Sequence, residues 1–143
     1  MRRAPFGAWA CAAVLALSLG PPLSALGQGV AAQAGDQALQ SIERGRALLA
    51  NRTETGCVLC HAVPGFAAGG QLGPPLAGVG QRYSAEQLRR RIADARVFNP
   101  QTIMPAYLST EGLQAVALAY QGRTVLTAQG LDDIVAYLMA QAK

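Results

Sequence analysis

Apolar positions recur at helical spacing in three stretches of the chain, and nowhere do they alternate convincingly with polar ones, so the pattern predicts helices and no sheet. In residues 37–51, Leu39, Ile42 and Leu49 share a face, and Gly45 on or beside that face would let a second helix approach closely. Residues 84–96 form the second stretch, with Ser84 as N-cap and Gln87 completing a capping-box pattern. Residues 127–141 form the third, with Thr127 as cap and Asp132 and Asp133 in the early turns against the helix dipole. Leu131, Ile134, Val135 and Leu138 make its apolar stripe. Between the helices, residues 64–80 and 99–105 are rich in Gly and Pro. Irregular loops of that length in a compact chain are usually wrapped around something. The expected fold class is all-α, in one small domain without internal repeats.

The N-terminus follows a different rule. Arg2 and Arg3 precede an apolar run over residues 8–19, then Pro21, Pro22 and small residues, which is the order of a secretory signal. The run is short for a membrane span, so no stable membrane anchor is expected. Cleavage after Gly27 is favoured, and cleavage after Ala34 also satisfies the small-residue rule. The expected division is 1–27 signal peptide, 28–40 flexible N-terminus and 41–143 globular domain, with the mature chain in the periplasm. Ala4 and Pro5 after the arginine pair make a poor twin-arginine pattern, which favours the general secretory route. Cys11 leaves with the signal, and only Cys57 and Cys60 remain.

Charge changes the picture little. The full chain has 12 Lys and Arg against 8 Asp and Glu, and loss of Arg2 and Arg3 lowers its formal charge from +4 to +2. No basic tract with interleaved aromatics remains, so nucleic acid is not an expected partner. Arg82, Arg89, Arg90, Arg91 and Arg96 are concentrated in one stretch. Most of them read as a solvated helix face, with one or two available for an anionic group.

Chemistry enters at Cys57-Val58-Leu59-Cys60-His61, the Cys-x-x-Cys-His pattern of covalent haem attachment. One tight turn presents both thiols to the vinyl groups of a porphyrin, and the next residue places an imidazole under the iron. A zinc site would need further ligands from carboxylates that are not clustered nearby, and a thioredoxin-like pair would need a strand–helix context that is missing. His61 is the chain's single histidine, so a second axial ligand from the protein must be another donor, and methionine accompanies histidine in cytochromes c. Met139 near the chain end reads as a core filler, whereas Met104 sits between prolines in an irregular segment well separated from His61. The carbonyl of Pro74 is the best acceptor for the second ring nitrogen of His61.

These residues resemble monohaem class I cytochromes c. The resemblance rests on the helix before Cys57, on Gly73-Pro74-Pro75-Leu76, on Met104-Pro105 and on the last helix. More narrowly, residues 56–62, 72–80, 102–107 and 112–127 resemble SoxX, the small cytochrome subunits of SoxAX complexes. The resemblance implies a cytochrome c fold, with one haem c enclosed by about three to five helices and long loops. It implies that Cys57 and Cys60 hold the haem, that His61 and Met104 are the axial iron ligands, that Pro74 supports His61, and that Gly45 meets the last helix near Tyr137. It further implies an electron-transfer role in a complex that joins thiosulfate oxidatively to a carrier-protein cysteine, the L-cysteine S-thiosulfotransferase reaction. The implied partners are a SoxA-type dihaem or monohaem cytochrome bearing the catalytic haem, the SoxYZ carrier, and a downstream electron acceptor.

Two other readings stay open. One is a free soluble periplasmic cytochrome shuttling electrons to an oxidase or reductase; the other is a haem enzyme or gas sensor with an open sixth position. Residues 109–126, with Leu113, Val116, Leu118 and Tyr120, read either as a docking surface or as packing over the haem.

Overall fold

The computed structural model describes residues 23–141, so Arg2, Arg3, Cys11 and the apolar leader lie outside the described residues. Among those described there are helices and turns only. They are α1 (Leu23–Ala50), the single turns α2 (Cys57–Cys60) and α3 (Val79–Arg82), α4 (Ala85–Ala93) and α5 (Ala128–Ala140). Short 3-10 turns lie at Ala95–Val97 and Leu118–Tyr120.

The core is built where α1 crosses α5. Leu49, Leu131 and Ile134 are the most completely buried large side chains, each removing a whole apolar group from water at about 1.5–3 kcal/mol. Gly45 makes the crossing close: a Cβ at this position would overlap the Asp133 carbonyl and press on the Ile134 nitrogen. The contact is therefore four residues earlier on α5 than Tyr137, where the resemblance placed it. Tyr137 instead donates its hydroxyl to the Pro64 carbonyl at 2.6 Å and meets Phe66 edge to face, holding down the loop after α2.

Asp133 departs from its expected role. It is 2 % exposed and accepts from Arg44 Nε at 2.7 Å, Arg44 Nη2 at 2.9 Å, Ser41 Oγ at 2.6 Å and Gln129 Nε2 at 2.9 Å. It is a buried clasp between α1 and α5, while its neighbour Asp132 stays exposed and pairs with Arg89 on α4.

Two boundaries also differ from the periodicity. The first helix spans Leu23–Ala50 among the described residues, so it covers residues 28–40 as well as the predicted stretch. Their Ala-rich composition has high helix propensity, and no proline follows Pro22 to stop it. Residues 30–40 of that helix are exposed, and Leu39, expected on the packed face with Ile42 and Leu49, is 63 % exposed. The helix capped by Ser84 ends at Ala93 and not near Arg96. The Asp94 side chain accepts from the Arg96 backbone N–H and diverts the chain into a 3-10 turn. At the other end of α4 the capping box is complete, with Ser84 Oγ accepting from Gln87 N and Gln87 Oε1 accepting from Ser84 N. α5 starts on Thr127, whose hydroxyl accepts from Gly130 N at 3.0 Å.

Candidate functional site

A cleft of about 670 Å³ opens between the α2 turn, the loop that follows it, α4 and the segment around Met104, with Leu49, Ile134 and Leu138 as its back wall. That volume lies within the roughly 300–1,000 Å³ typical of ligand and cofactor sites. Cys57, Cys60, His61, Pro74 and Met104 all line it, so residues separated by more than forty positions in the chain reach one space.

The α2 turn owes its position to α1. Asn51 ends that helix, and its side chain accepts from Thr53 N and Glu54 N, turning the chain back toward the core. Val58 anchors the turn in the core while Cys57 and Cys60 are half-buried. The following loop is laid against it by Gly70 N to Val58 O at 2.9 Å, Gly73 N to Cys60 O at 2.8 Å and Leu76 N to Ala62 O at 2.9 Å. This ladder carries Pro74 to His61, whose Nδ1 lies 2.7 Å from the Pro74 carbonyl oxygen. A carbonyl only accepts, so Nδ1 bears the hydrogen and Nε2 is the ring nitrogen left for a metal. Gly73 is required for the approach, since a Cβ there would overlap the imidazole ring.

Met104 is delivered by a segment that folds on itself. Asn99 takes Thr102 N on its carbonyl and Gln101 N on its side chain, and Thr102 Oγ accepts from Met104 N at 3.2 Å. Met104 is half-buried and packs against the core cluster. Beyond it, Tyr107 is buried and donates to the Thr55 carbonyl at 2.6 Å. Its oxygen also lies 4.0 Å from Cys57 Sγ. Sequence reasoning missed Tyr107; its place three residues after Met104 is visible there, but its partner fifty-two residues away is not.

Burial raises the Cys57 thiol above its ordinary range, so before any bond is formed the sulfur is held as a neutral thiol. Burial likewise raises the Tyr107 phenol, the nearby Cys57 acting in the same direction. Among the described residues no Asp or Glu lines the cleft, and Arg82 and Arg91 are its cationic groups. Arg82 is committed to the carbonyls of Ala77 and Pro75, at 2.7 and 3.2 Å. Among the described residues no three of His, Cys, Asp and Glu come together as a metal-ion cluster.

The family model for cytochrome c matches residues 42–142. Among solved structures, the crystal structure of SoxXA from P. pantotrophus matches with a TM-score of 0.62 and 29 % sequence identity, over 71 % of this chain and 81 % of that one. No curated protein matches the chain.

The residues in the cleft fit a haem. Two thiols of one turn line it, an imidazole whose Nδ1 is bonded to a carbonyl follows, a thioether stands on a separate segment, and the remaining wall is largely apolar. The buried Arg91 Nε, with no hydrogen-bond partner among the described residues, suits a cofactor whose own periphery is anionic.

Proposed function

Since the chain belongs to the cytochrome c family and carries one covalently bound haem c, we propose that it is the electron-transfer subunit of a periplasmic SoxAX-type complex that conjugates thiosulfate to a carrier-protein cysteine. The observation that carries the haem site is the convergence of Cys57, Cys60, His61 and Met104 on one apolar cleft. The likeness to SoxXA supports the choice of complex.

In this reading Cys57 and Cys60 would hold the haem through thioether bonds, and His61 and Met104 would ligate its iron. The bound haem supplies a one-electron Fe(III)/Fe(II) couple, whose potential a thioether ligand raises. Pro74 holds the His61 ring at one orientation and one tautomer through the 2.7 Å contact, keeping Nε2 basic and directed at the cleft. The apolar walls exclude water from the site and so disfavour the extra charge of the oxidised state. Conjugation of thiosulfate to a carrier thiol forms one sulfur–sulfur bond and releases one proton and two electrons. This chain, with one haem, accepts those electrons singly and passes them to an acceptor. It has no third cysteine within the described residues, and the sulfur chemistry belongs on a SoxA-type partner.

The export of the chain, with residues 1–27 as signal peptide, belongs to the same proposal. Among the described residues no helix is long and apolar enough to cross a membrane.

Co-expression with the SoxA-type cytochrome of the same genome tests the reading. The two chains are expected to co-purify at high salt, and the haem to be reduced on addition of thiosulfate and SoxYZ. A monomer that ignores both would instead be a general electron shuttle.

A further inference from the structure

Between Tyr107 and Leu126 the chain makes an excursion and returns to where it left, the Leu126 N–H donating to the Tyr107 carbonyl at 3.0 Å. Arg96 fastens the stem: it donates to the Ser109 hydroxyl at 3.2 Å and to the Glu111 carbonyl at 2.9 Å, while Asp94 holds the same guanidinium at 2.6 Å. Beyond the stem the hydrogen bonds run within the loop, from Tyr120 N to Ala117 O at 2.8 Å, from Arg123 N to Tyr120 O at 3.2 Å and from the Gln121 side chain to Val116 O at 3.4 Å. Ala115 has a φ of 54°, the one non-glycine residue in the left-handed region among the described residues. A loop with closed ends and bonds of its own is a built element with a defined surface.

The cleft separates the two readings that the sequence leaves for this segment. None of residues 109–126 lines it, so the segment does not pack over the haem site. Its tip faces water instead: Leu118 is 86 % exposed, the highest value of any large apolar side chain among the described residues, and Tyr120 is 52 % exposed. Away from α1, the cleft mouth and Val97, the exposed large apolar side chains are all on this loop. Residues 112–122 carry no charge, an uninterrupted neutral stretch between Glu111 and Arg123. A recess of about 370 Å³ opens in the same loop between Thr110, Leu113, Val116, Tyr120 and Gln121. The tip thus offers both a protruding apolar side chain and a hollow able to take one.

An uncharged apolar tip cannot steer a partner by charge, which is how a transient, salt-sensitive encounter is made. Its complement is an equally uncharged apolar face, the composition found at the centre of a lasting interface. The eleven neutral residues are about half of the roughly 20–30 that one side of a standard interface supplies, so the tip forms such a centre with a more polar surround. The base of the loop is Tyr107, itself a wall of the cleft, and a partner seated on the loop is therefore brought to the Met104 side of the site. We propose that residues 109–125 are the docking element for the SoxA-type cytochrome, with Leu118 and Tyr120 as apolar anchors against an uncharged face of that partner. The proposal rests on the reading of the complex given above and adds to it the surface that holds the subunits together.

The test is calorimetric titration of the haem-loaded chain with the haem-loaded SoxA-type cytochrome of the same genome. The parent is expected to bind with a dissociation constant that changes less than about threefold between about 0.1 and 1 M salt. A Leu118→Ser, Tyr120→Ser double variant, with its haem spectrum and reduction potential unchanged, is expected to bind at least about tenfold more weakly. Binding by that variant within twofold of the parent would overturn the proposal, as would a parent complex lost at high salt, since charge would then carry the contact. Self-association of the free parent that the double substitution abolishes would assign the tip to a second copy of the chain and overturn the choice of partner. If the double variant does not accumulate, Leu118→Cys reads the same surface. A saturating amount of the SoxA-type cytochrome is expected to slow its alkylation at least tenfold, and an unchanged rate overturns the proposal. Failure of the parent itself to bind is scored separately: it refutes the reading of the complex, and this surface with it.

Discussion

The hydroxyl of Tyr107 donates to the carbonyl of Thr55 at 2.6 Å, tying the segment that carries Met104 to the one that carries Cys57. Thr55 in turn donates to the carbonyls of Leu48 and Asn51 at the end of α1. One buried relay thus joins both sides of the cleft to the helix crossing.

Tyr107→Phe keeps the ring and removes the bond, leaving the Thr55 carbonyl buried without that donor. Unfolding by urea should show a loss of about 1–2 kcal/mol. The haem should stay attached, with the proposed Met104 ligation weakened and seen as faster binding of added imidazole; unchanged stability and imidazole kinetics would deny the relay its role.

Met104→Ala removes the thioether that the proposed site sets opposite His61. The expected result is loss of the low-spin spectrum and binding of external ligands at the vacated position. A low-spin spectrum indistinguishable from the parent would show that another group is the ligand.

Gly45→Val places a branched side chain against the Asp133 carbonyl, which is backbone and has little room to yield. The helices must separate, and overpacking of this kind costs about 3 kcal/mol or more. Calorimetry should record a lowered melting temperature, or expression should fail. A stable protein with an unaltered melting temperature would mean that the crossing is looser than described.

The Asp133 clasp makes a prediction in pH. Arg44 beside it holds the carboxyl below its ordinary value of 3.8, Ser41 and Gln129 act the same way, and burial opposes them. A depressed folded-state value means that the unfolded chain binds the proton more tightly. The stabilisation is therefore complete above the unfolded value and is lost as pH falls through the folded one. Asp133→Asn should be less stable than the parent by about 1–2 kcal/mol at pH 7. The two stability curves should converge below about pH 4. Parallel curves across that range would exclude the carboxylate as the origin of the difference.

Much of this was legible before any coordinates. The Ser84–Gln87 capping box and the start of α5 at Thr127 are local signals, carried by residues three apart, and the structure has both. The Cys57–His61 pattern places its three groups by the geometry of one turn, so adjacency in sequence already implies adjacency in space. The sequence also singled out Pro74 and Met104, because rigid prolines flank a donor or an acceptor in each case. The first helix was less legible: residues 30–40 are helical yet exposed, which leaves no apolar stripe to read.

What tertiary structure alone decided are the partnerships of groups with no local mark. Asp133 looks in sequence like an ordinary acid near a helix start, and becomes a buried clasp because Gly45 lets α1 come close enough for Ser41 and Arg44 to reach it. Arg89, Arg90 and Arg91 are interchangeable as a string of cations. Helical rotation and the positions of Asp132, Tyr83 and Phe98 send one to a surface ion pair, one to the rim and one into the cleft. Periodicity specifies which residues share a face, whereas the energetic fate of a charge depends on what that face meets.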